Sequence, residues 1–469
     1  MKQMRKILPS LLLMLTAALF LSNCAFRGAE EGAAAEINSS PARKKEPGTF
    51  TVSYFCDGEM IGTEQVTEGE SPQEIPTGMN GRGIVAWTNT NGTETDVWSA
   101  KIAADTVFSA VPGPELKLEG GYIAPETDGL FHPFDSFTRS AAARAVYALL
   151  AEKPKGETFL KDVTSRARCW EAATTLVTNG YMTLTDGHFC PDDPISKADM
   201  QSLLEKLFSP GAVREAMREV GDNMTRAQAA AIINDLLGLT VRDDLPYFPD
   251  VFPELEDYQA IELAGMEGSV WSGEDRAAPG FVNLEGYLYY VDDNGYFIHD
   301  GMVGTLYFDL TGRYTSGDAA LDKYTADIIH VQVNGKMSRE EMLRAVYVYV
   351  RDHYLYMKRD IYEIGETGWE IPEALTMFQT GKGNCYNFTA AFWALARGVG
   401  FDAVCHSGLV GVDRNPHSWV EIEFDGEPFI FDVETEMQYR LIDDCITSMY
   451  KLDYERGALW SYAREPYDD

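Results

Sequence analysis

Basic residues are scarce in this sequence. Its 469 residues include 39 lysines and arginines against 73 aspartates and glutamates, which gives a formal net charge of -34. Such a charge repels nucleic acid and anionic bilayers, so we expect no nucleic-acid partner. The content of 45% hydrophobic and 24% charged residues is nevertheless typical of a globular protein. A chain of this length usually folds into about three or four domains.

Cysteine is also scarce, with seven residues in the whole chain. Besides Cys24 near the N-terminus, these are Cys56, Cys169, Cys190, Cys385, Cys405 and Cys445. Six cysteines in so long a chain are too few for a disulfide scaffold, even in an exported protein. We therefore expect some of them to be free thiols.

Long apolar runs are missing from the chain after its N-terminal segment. No later segment reaches the about 18 uninterrupted apolar residues that a membrane span needs. The chain begins with MKQMRKILPSLLLMLTAALFLSNC, a basic segment followed by an apolar one that ends in small and polar residues. This pattern is typical of a secretory signal over residues 1–24. It predicts an exported protein with no transmembrane span in the mature chain.

The end of this signal leaves two alternatives open. The stretch LSNC resembles a bacterial lipobox with Cys24 as the lipid-carrying residue, although Asn23 stands where Gly, Ala or Ser is usual. Ordinary cleavage of a signal peptide nearby explains the same residues. Residues 25–48 are small, charged and without a pattern, which predicts a flexible tether.

Residues 49–112 predict a small β module. TFTVSYFCDGEMIGTEQVTEGESP alternates apolar and polar residues around Asp57-Gly58, which is a strong hairpin signal. Further strands are predicted within IVAWTNTNGTETDVW and DTVFSAVPG. The succession of hairpin and final strand resembles the internalin B-type repeat, a β-grasp-like module of secreted surface proteins.

Residues 113–282 contain an internal repeat. The stretches FDSFTRSAAARAVYALL, DDPISKADMQSLLEKLF and GDNMTRAQAAAIINDLL each place a Ser or Thr N-cap before a basic residue and an amphipathic helix. Two copies of another unit alternate with them, FLKDVTSRARCWEAATTLVTNGYM and FPDVFPELEDYQAIELAGMEG. The alternation resembles three S-layer homology repeats, which implies an α-helical region.

This resemblance also implies a partner. In that family the basic residue after the N-cap lines a groove that holds anionic secondary cell-wall polysaccharide. Carried over, it makes Arg139, Lys197 and Arg226 candidate polymer contacts, because guanidinium and ammonium groups match carboxylate and phosphate. The alternative is that they are ordinary surface residues of a first helical turn. The shortened stretch SPGAVREAMREV in the middle copy also puts one groove in doubt.

Residues 283–318 predict short hairpins, with Asn-Gly and Thr-Gly turns between aromatic strands. The stretch YYVDDNG resembles cell-wall-binding repeats of the Tyr-Tyr-x-Asp-x-x-Gly kind. The alternative is a spacer hairpin that packs on the following domain.

Residues 319–469 change to an α/β pattern. Ser338, followed by Glu341 three residues later, predicts a capped amphipathic helix. The stretch GKGNC then precedes a second helix, whose apolar stripe ends at Gly398. Cys385 therefore begins a helix, where unpaired N–H groups and the helix dipole stabilise a thiolate or a developing oxyanion.

A general base for this cysteine is predicted by strand pairing. PHSWVEIEFDGEPFIFDVETE reads as two strands joined by a two-residue Asp-Gly turn, which sets Val420 opposite Phe431. The same register makes Asp432 a diagonal neighbour of His417. Cys385 as nucleophile, His417 as base and Asp432 as orienting carboxylate would form a catalytic triad.

The stretches GNCYNFTAAFWALARGVGFDA, HSWVEI and FIFDVE resemble, in this order, the Cys, His and Asp motifs of the transglutaminase-like branch of papain-fold cysteine enzymes. One departure is that Val433-Glu434 follows the Asp, where Pro and Thr are common. The resemblance implies an α+β papain-like domain, a protein or peptide substrate, thioester chemistry, and no metal or organic cofactor. Whether water or an amine releases the thioester stays open, because the fold hosts proteases, deamidases and cross-linking enzymes.

Several alternatives remain for the site and for the function. Cys385 pairs with Cys405 in a disulfide in one alternative, and His406 replaces His417 as the base in another. Gln379 is a further candidate for an oxyanion donor. The competing class of function is a non-catalytic surface adhesin. The sequence as a whole predicts a multidomain, secreted protein of the bacterial cell surface or cell wall.

Overall fold

The computed structural model describes residues 48–243, 245–267, 276–442, 448–457 and 462–464. The predicted signal, the lipidation site Cys24, all but the last residue of the tether, and Cys445 lie outside these residues. Within the described ranges, no helix is long and apolar enough to cross a membrane.

The first module is a mixed five-stranded sheet. Its strands are β1 (Thr49–Cys56), β2 (Glu59–Thr67), β3 (Gly78–Met79), β4 (Arg82–Asn89) and β5 (Thr106–Glu115), in the order β2-β1-β5-β4-β3. The predicted hairpin is confirmed, since Cys56 pairs with Glu59 across a turn in which Asp57 and Gly58 both have positive φ. Val97–Ser99, between β4 and β5, forms a single 3-10 turn. Assignment of the module to the β-grasp class remains a prediction.

Six helices follow among the described residues of this region, and their apolar faces share one core. They are α1 (Arg139–Leu149), α2 (Trp170–Thr178), α3 (Lys197–Leu204), α4 (Pro210–Ala216), α5 (Arg226–Leu237) and α6 (Tyr258–Ala264). The predicted N-caps Thr138, Ser196 and Thr225 are confirmed, because each hydroxyl accepts the backbone N–H of the third residue after it. These caps satisfy N–H groups that a helix start otherwise leaves unpaired.

Helices α1, α3 and α5 each begin with a basic residue. The side chains of these three residues link the repeats into a ring by hydrogen bonds. Arg139 of α1 donates to the carbonyl of Phe189 before α3 (2.7 Å), Lys197 of α3 to that of Val220 before α5 (2.6 Å), and Arg226 of α5 to that of Phe131 before α1 (2.6 Å). The third link therefore returns to the first repeat. We call this arrangement the repeat ring.

Short strands connect the repeats to the C-terminal domain. They are β6 (Gly280–Leu284), β7 (Tyr287–Val291), β8 (Gly301–Val303), β9 (Leu306–Phe308) and β10 (Tyr314–Thr315), arranged as one two-stranded and one three-stranded sheet. Asn283 donates to the carbonyl of Gly398, and Arg397 donates to the Tyr314 hydroxyl at 3.0 Å. The strands thus pack on the following domain, as the spacer alternative expected, while a wall-binding role stays a prediction.

The C-terminal domain packs helices on a four-stranded antiparallel sheet. Its elements are α7 (Ala319–Gln332), α8 (Arg339–His353), β11 (Leu355–Tyr356), α9 (Glu370–Thr380), β12 (Lys382–Gly383), α10 (Cys385–Gly398), β13 (Val404–Val410), β14 (Asn415–Phe424), β15 (Glu427–Phe431), α11 (Val433–Ile442), α12 (Tyr454–Gly457) and β16 (Ala463–Arg464). The sheet order is β15-β14-β13-β16. Both the predicted capping box at Ser338 and the predicted pairing of Val420 with Phe431 are confirmed.

The repeat ring generates a stability prediction. Arg226→Ala leaves the carbonyls of Phe131 and Ala124 without their donor and removes the nearest of the cations beside Glu126. We expect the free energy of unfolding of the repeats to fall by about 3–5 kcal/mol, because breaking a buried charged contact costs this much. Denaturant unfolding followed by fluorescence measures it. Arg218→Ala, which removes an exposed guanidinium, is the control and should change stability by at most about 0.5 kcal/mol. Equal effects of the two changes would contradict the structural role.

Candidate active site

A tight loop places Cys385 at the first position of α10. Gly383 precedes it in β12, and a Cβ at this glycine would lie 2.2 Å from the Cβ of Asn387. Only glycine therefore allows the loop to approach the first turn of the helix so closely. Asn384 is the N-cap, and its backbone N–H donates to the Asn387 side chain at 3.0 Å.

A buried polar network holds this loop. The Asn387 amide donates to the backbone carbonyl of Glu373 at 3.1 Å. Arg359 donates both to the Glu373 carboxylate (2.8 Å) and to the Asn387 side-chain oxygen (3.1 Å). Since such contacts restrict both the helix start and the preceding segment, the thiol is presented from a fixed backbone.

The thiol of Cys385 is buried and free. Cys405 is a free thiol as well, so the alternative of a disulfide between the two is wrong. Burial raises the pKa of the Cys405 thiol well above its usual range. The two cysteines therefore differ in setting, because Cys385 stands at a helix start and beside an imidazole.

That imidazole belongs to His417, which is buried on β14. Its Nε2–H donates to the Asp432 carboxylate at 2.8 Å, and the ring lies close enough to Cys385 for the thiol to affect its pKa. Burial alone would lower the pKa of His417, but the charge and hydrogen bond of Asp432, reinforced by Cys385, raise that pKa well above its usual value. The structure therefore favours an imidazolium beside the thiol.

Asp432 is fully enclosed and surrounded by donors. Besides His417, the Tyr462 hydroxyl donates to it at 2.5 Å, and the backbone N–H of Thr435 donates at 3.0 Å. Burial works to raise the pKa of this carboxyl, but His417 and the hydroxyl and N–H donors outweigh burial and lower it. The carboxylate thus stays ionised and orients the imidazole.

Sequence reasoning missed two residues of this site. Tyr462 lies 30 residues beyond Asp432, and no spacing or motif signalled its contact. Glu434 did carry a signal, because it stands where Thr is common in the resembling family. Its carboxylate is buried 3.9 Å from His417 Nδ1, and burial raises the pKa of Glu434. Two carboxyl groups of opposite pKa shift thus flank one imidazole.

These same residues have the spacing of a metal site. In the part of the chain that the structure describes, His417, Asp432 and Glu434 form the group whose donor atoms lie within 4.8 Å of one another. The Asp432 hydrogen bond already uses the Nε2 nitrogen of His417.

The other candidate site residues lie elsewhere. His406 is on β13 and faces the Glu421 carboxylate at 3.5 Å, across the strand pair. Its carboxylate neighbour was not evident from the sequence because it lies on the adjacent strand. Gln379 is exposed in the last turn of α9. It is His417 whose ring is bonded to Asp432 and whose pKa is affected by Cys385.

The three residues predicted to contact polymer all belong to the repeat ring. Arg139 and Arg226 are buried, and their guanidiniums also pair with Asp199 (2.9 Å) and Glu126 (2.8 Å). The alternative that these two are surface residues is therefore wrong. Lys197 is half-buried. Polymer binding through all three remains a prediction.

The C-terminal domain thus brings a buried thiol, an imidazole and a carboxylate into one site. Two family models match parts of this chain. Residues 326–432 match the model of the transglutaminase-like superfamily, and residues 160–200 match that of the S-layer homology domain. The chain therefore carries a transglutaminase-like domain and an S-layer homology domain.

A solved structure from Cytophaga hutchinsonii, titled as a candidate cysteine protease, is also similar to this chain. The two share 17% sequence identity and a TM-score of 0.20, over 30% of this chain and 46% of the other. The chain thus spans about half the length of that protein. No curated protein matches the chain.

The contacts of Asp432 generate a prediction. Tyr462→Phe removes one donor from a buried charge, so we expect the free energy of unfolding to fall by about 1.5–3 kcal/mol at neutral pH. The pKa of Asp432 is lowered in the folded protein. The ionised carboxylate therefore contributes fully to folding stability above its unfolded pKa of about 3.9. This contribution is lost as the pH falls through the folded pKa. The difference between the two proteins should therefore shrink in acid.

Urea denaturation at several pH values measures this difference. Tyr324→Phe is the matched control, because it removes the hydroxyl of an exposed tyrosine. A Tyr462→Phe loss that is the same at every pH would contradict the role of Asp432.

Proposed function

We propose that residues 319–469 form a cysteine acyl-transfer enzyme whose triad is Cys385, His417 and Asp432. The observation that carries the proposal is the buried His417 imidazole, which is hydrogen-bonded to Asp432 and lies close enough to Cys385 for the thiol to affect its pKa. The transglutaminase-like match over residues 326–432 supports it, since the match includes all three residues.

The reaction begins with the Cys385 thiolate, which attacks a carboxamide or peptide carbonyl carbon and forms a C–S bond. Backbone N–H groups at the start of α10 lie where a helix has unpaired donors, and they stabilise the resulting oxyanion. The imidazolium of His417 gives its proton to the leaving nitrogen, the C–N bond breaks, and a thioester remains.

Release of the thioester reverses these roles. Water or an amine attacks the thioester carbon, neutral His417 accepts the proton of the nucleophile, and the C–S bond breaks to restore the thiolate. Asp432 stabilises the imidazolium in both halves. Water makes the protein a protease or deamidase, and an amine makes it a cross-linking enzyme. We place peptide-bond hydrolysis slightly ahead of cross-linking.

The remaining domains suggest where this chemistry takes place. The S-layer homology match supports association with the cell surface. We propose that residues 1–24 direct export, and that the repeats hold the enzyme on anionic secondary cell-wall polysaccharide. Of the three candidate contacts, Lys197 is the one that is not buried, whereas Arg139 and Arg226 are buried. Lipidation of Cys24 would add a second anchor.

The first test is the pH dependence of iodoacetamide alkylation in the full chain, read at each cysteine by mass spectrometry. A thiolate paired with imidazolium reacts well below the about pH 8.5 at which a free cysteine ionises. We expect Cys385 to be labelled below neutral pH and to lose this reactivity in His417→Ala. Because the pKa of His417 is raised, the imidazolium and its effect on the thiolate persist at neutral pH and disappear as pH rises through that pKa.

Cys405 is the control within the same molecule, because its thiol has a raised pKa and should react only in alkali. If Cys385 instead follows the same pH dependence as Cys405, the triad is not an ion pair. The enzyme proposal then fails, and the adhesin alternative takes its place.

A further inference from the structure

The last strand that the structure describes is aligned with His417. β16 contains only Ala463 and Arg464, and it pairs with β13 so that Arg464 lies opposite Gly408. On the other side of β13, Gly408 is paired with His417 of β14. The register therefore places His417, Gly408 and Arg464 in one row across the sheet. We call Tyr462, Ala463 and Arg464 the C-terminal segment.

A glycine makes room for the C-terminal segment in the middle of this row. A Cβ at Gly408 would lie 2.4 Å from the carbonyl oxygen of Ala463 and 2.7 Å from the ring of Trp419. Both distances are shorter than van der Waals contact allows. Only a residue without a side chain lets the segment and the ring approach the strand so closely.

An ion pair anchors the C-terminal segment to β14. The Arg464 guanidinium donates through Nε to one oxygen of Glu421 at 3.0 Å, and through a second nitrogen to the other oxygen. Two parallel hydrogen bonds fix the orientation of the guanidinium as well as its distance. Trp419 and Tyr454 also donate to Glu421, whose side chain is only 5% exposed. The carboxylate is therefore a rigid attachment point for the segment.

The anchored segment brings one hydroxyl to the triad. The ring of Tyr462 packs edge-on against Trp419, with the ring centroids 5.2 Å apart. Its hydroxyl donates to Oδ2 of Asp432 at 2.5 Å, and the same oxygen accepts the Nε2–H of His417 at 2.8 Å. The phenol and the imidazole thus share one carboxylate oxygen, so the position of the ring affects the hydrogen bond that orients His417.

We propose that Arg464 and Glu421 are positioning residues of the site, because they hold Tyr462 on the carboxylate oxygen that orients His417. This inference rests on the proposed function and extends its triad by a fourth group. With the segment in place, Asp432 is only 1% exposed, so water is kept away from its hydrogen bond with His417. Release of the segment should admit water and loosen the imidazole.

The test removes the ion pair without changing the net charge. The double variant Glu421→Gln/Arg464→Gln deletes one charge of each sign, and Tyr462→Phe deletes only the hydroxyl. Each full chain is labelled with nitrogen-15 histidine, and NMR records the low-field signal of the His417 Nε2 proton, which His417→Ala identifies by its loss. We expect a sharp signal in the wild type and a signal broadened by exchange with water in both variants.

Alkylation of Cys385 gives a second readout. Iodoacetamide is added at about pH 6, where an ordinary thiol stays protonated. The rate should fall about tenfold in the double variant and in Tyr462→Phe, because a slightly misplaced group in a site costs at least this much. Combining all three changes should give the same rate as Tyr462→Phe alone, since Arg464 acts through Tyr462. Arg464→Lys keeps the charge but not the paired hydrogen bonds, so its rate should be intermediate.

A second ion pair supplies the matched control. Lys323→Gln/Asp327→Asn removes an exposed pair on α7, again without changing the net charge. It should leave the NMR signal and the alkylation rate unchanged. Cys385 and Glu434, the other groups near the imidazole, are the same in every variant. Urea unfolding of each protein separates a loss of stability from a loss of position.

Each failure has its own signature. If the double variant is less stable in urea but keeps the sharp Nε2 signal and the alkylation rate, the ion pair is only structural and the inference is wrong, while the proposed function stands. A combined variant that reacts more slowly than Tyr462→Phe also overturns the inference, as does a wild type without the low-field signal. If wild-type Cys385 is not alkylated at low pH, the proposed function itself fails.

Discussion

An ionised carboxylate that is fully buried must be surrounded by donors, and this requirement organises the C-terminal domain around Asp432. Three separate parts of the chain meet there. The sheet brings His417 from β14, the start of α11 brings the N–H of Thr435, and the C-terminal segment brings Tyr462. That segment is itself held by the ion pair of Arg464 with Glu421 on β14. The sheet, the helix and the C-terminal segment thus all contact the charge of the Asp432 carboxylate.

The same centre contains a contrast between two carboxyl groups. Asp432 contacts the Nε2 side of the imidazole and has a lowered pKa, whereas Glu434 lies near Nδ1 and has a raised pKa. Environments that separate the pKa values of neighbouring groups are the usual means by which a site divides proton-holding tasks. Glu434 stands where the resembling family commonly has Thr. This difference therefore lies beside the His417 imidazole and not in a peripheral turn.

The part of the site that was predictable from the sequence is local in origin. An Asp-Gly turn fixes the pairing of the two strands that it joins. A short stretch of sequence therefore predicts that His417 and Asp432 are neighbours. The N-cap and apolar stripe of α10 likewise follow from residues close together. Tyr462 was not predictable, because its position depends on β16 pairing with β13. The burial of Arg139 and Arg226 was also missed, because a basic residue in a first helical turn normally faces solvent.

The repeat ring has one more consequence, which concerns growth by duplication. Linear repeat proteins add units at their ends, and their terminal units need special capping surfaces. In this chain the basic residue of the third unit, Arg226, contacts the loop of the first unit at Phe131. A closed set has no terminal unit to cap and no free end to extend. Each of the three units therefore has a neighbouring unit on both sides, so their apolar faces are covered without a dedicated capping unit.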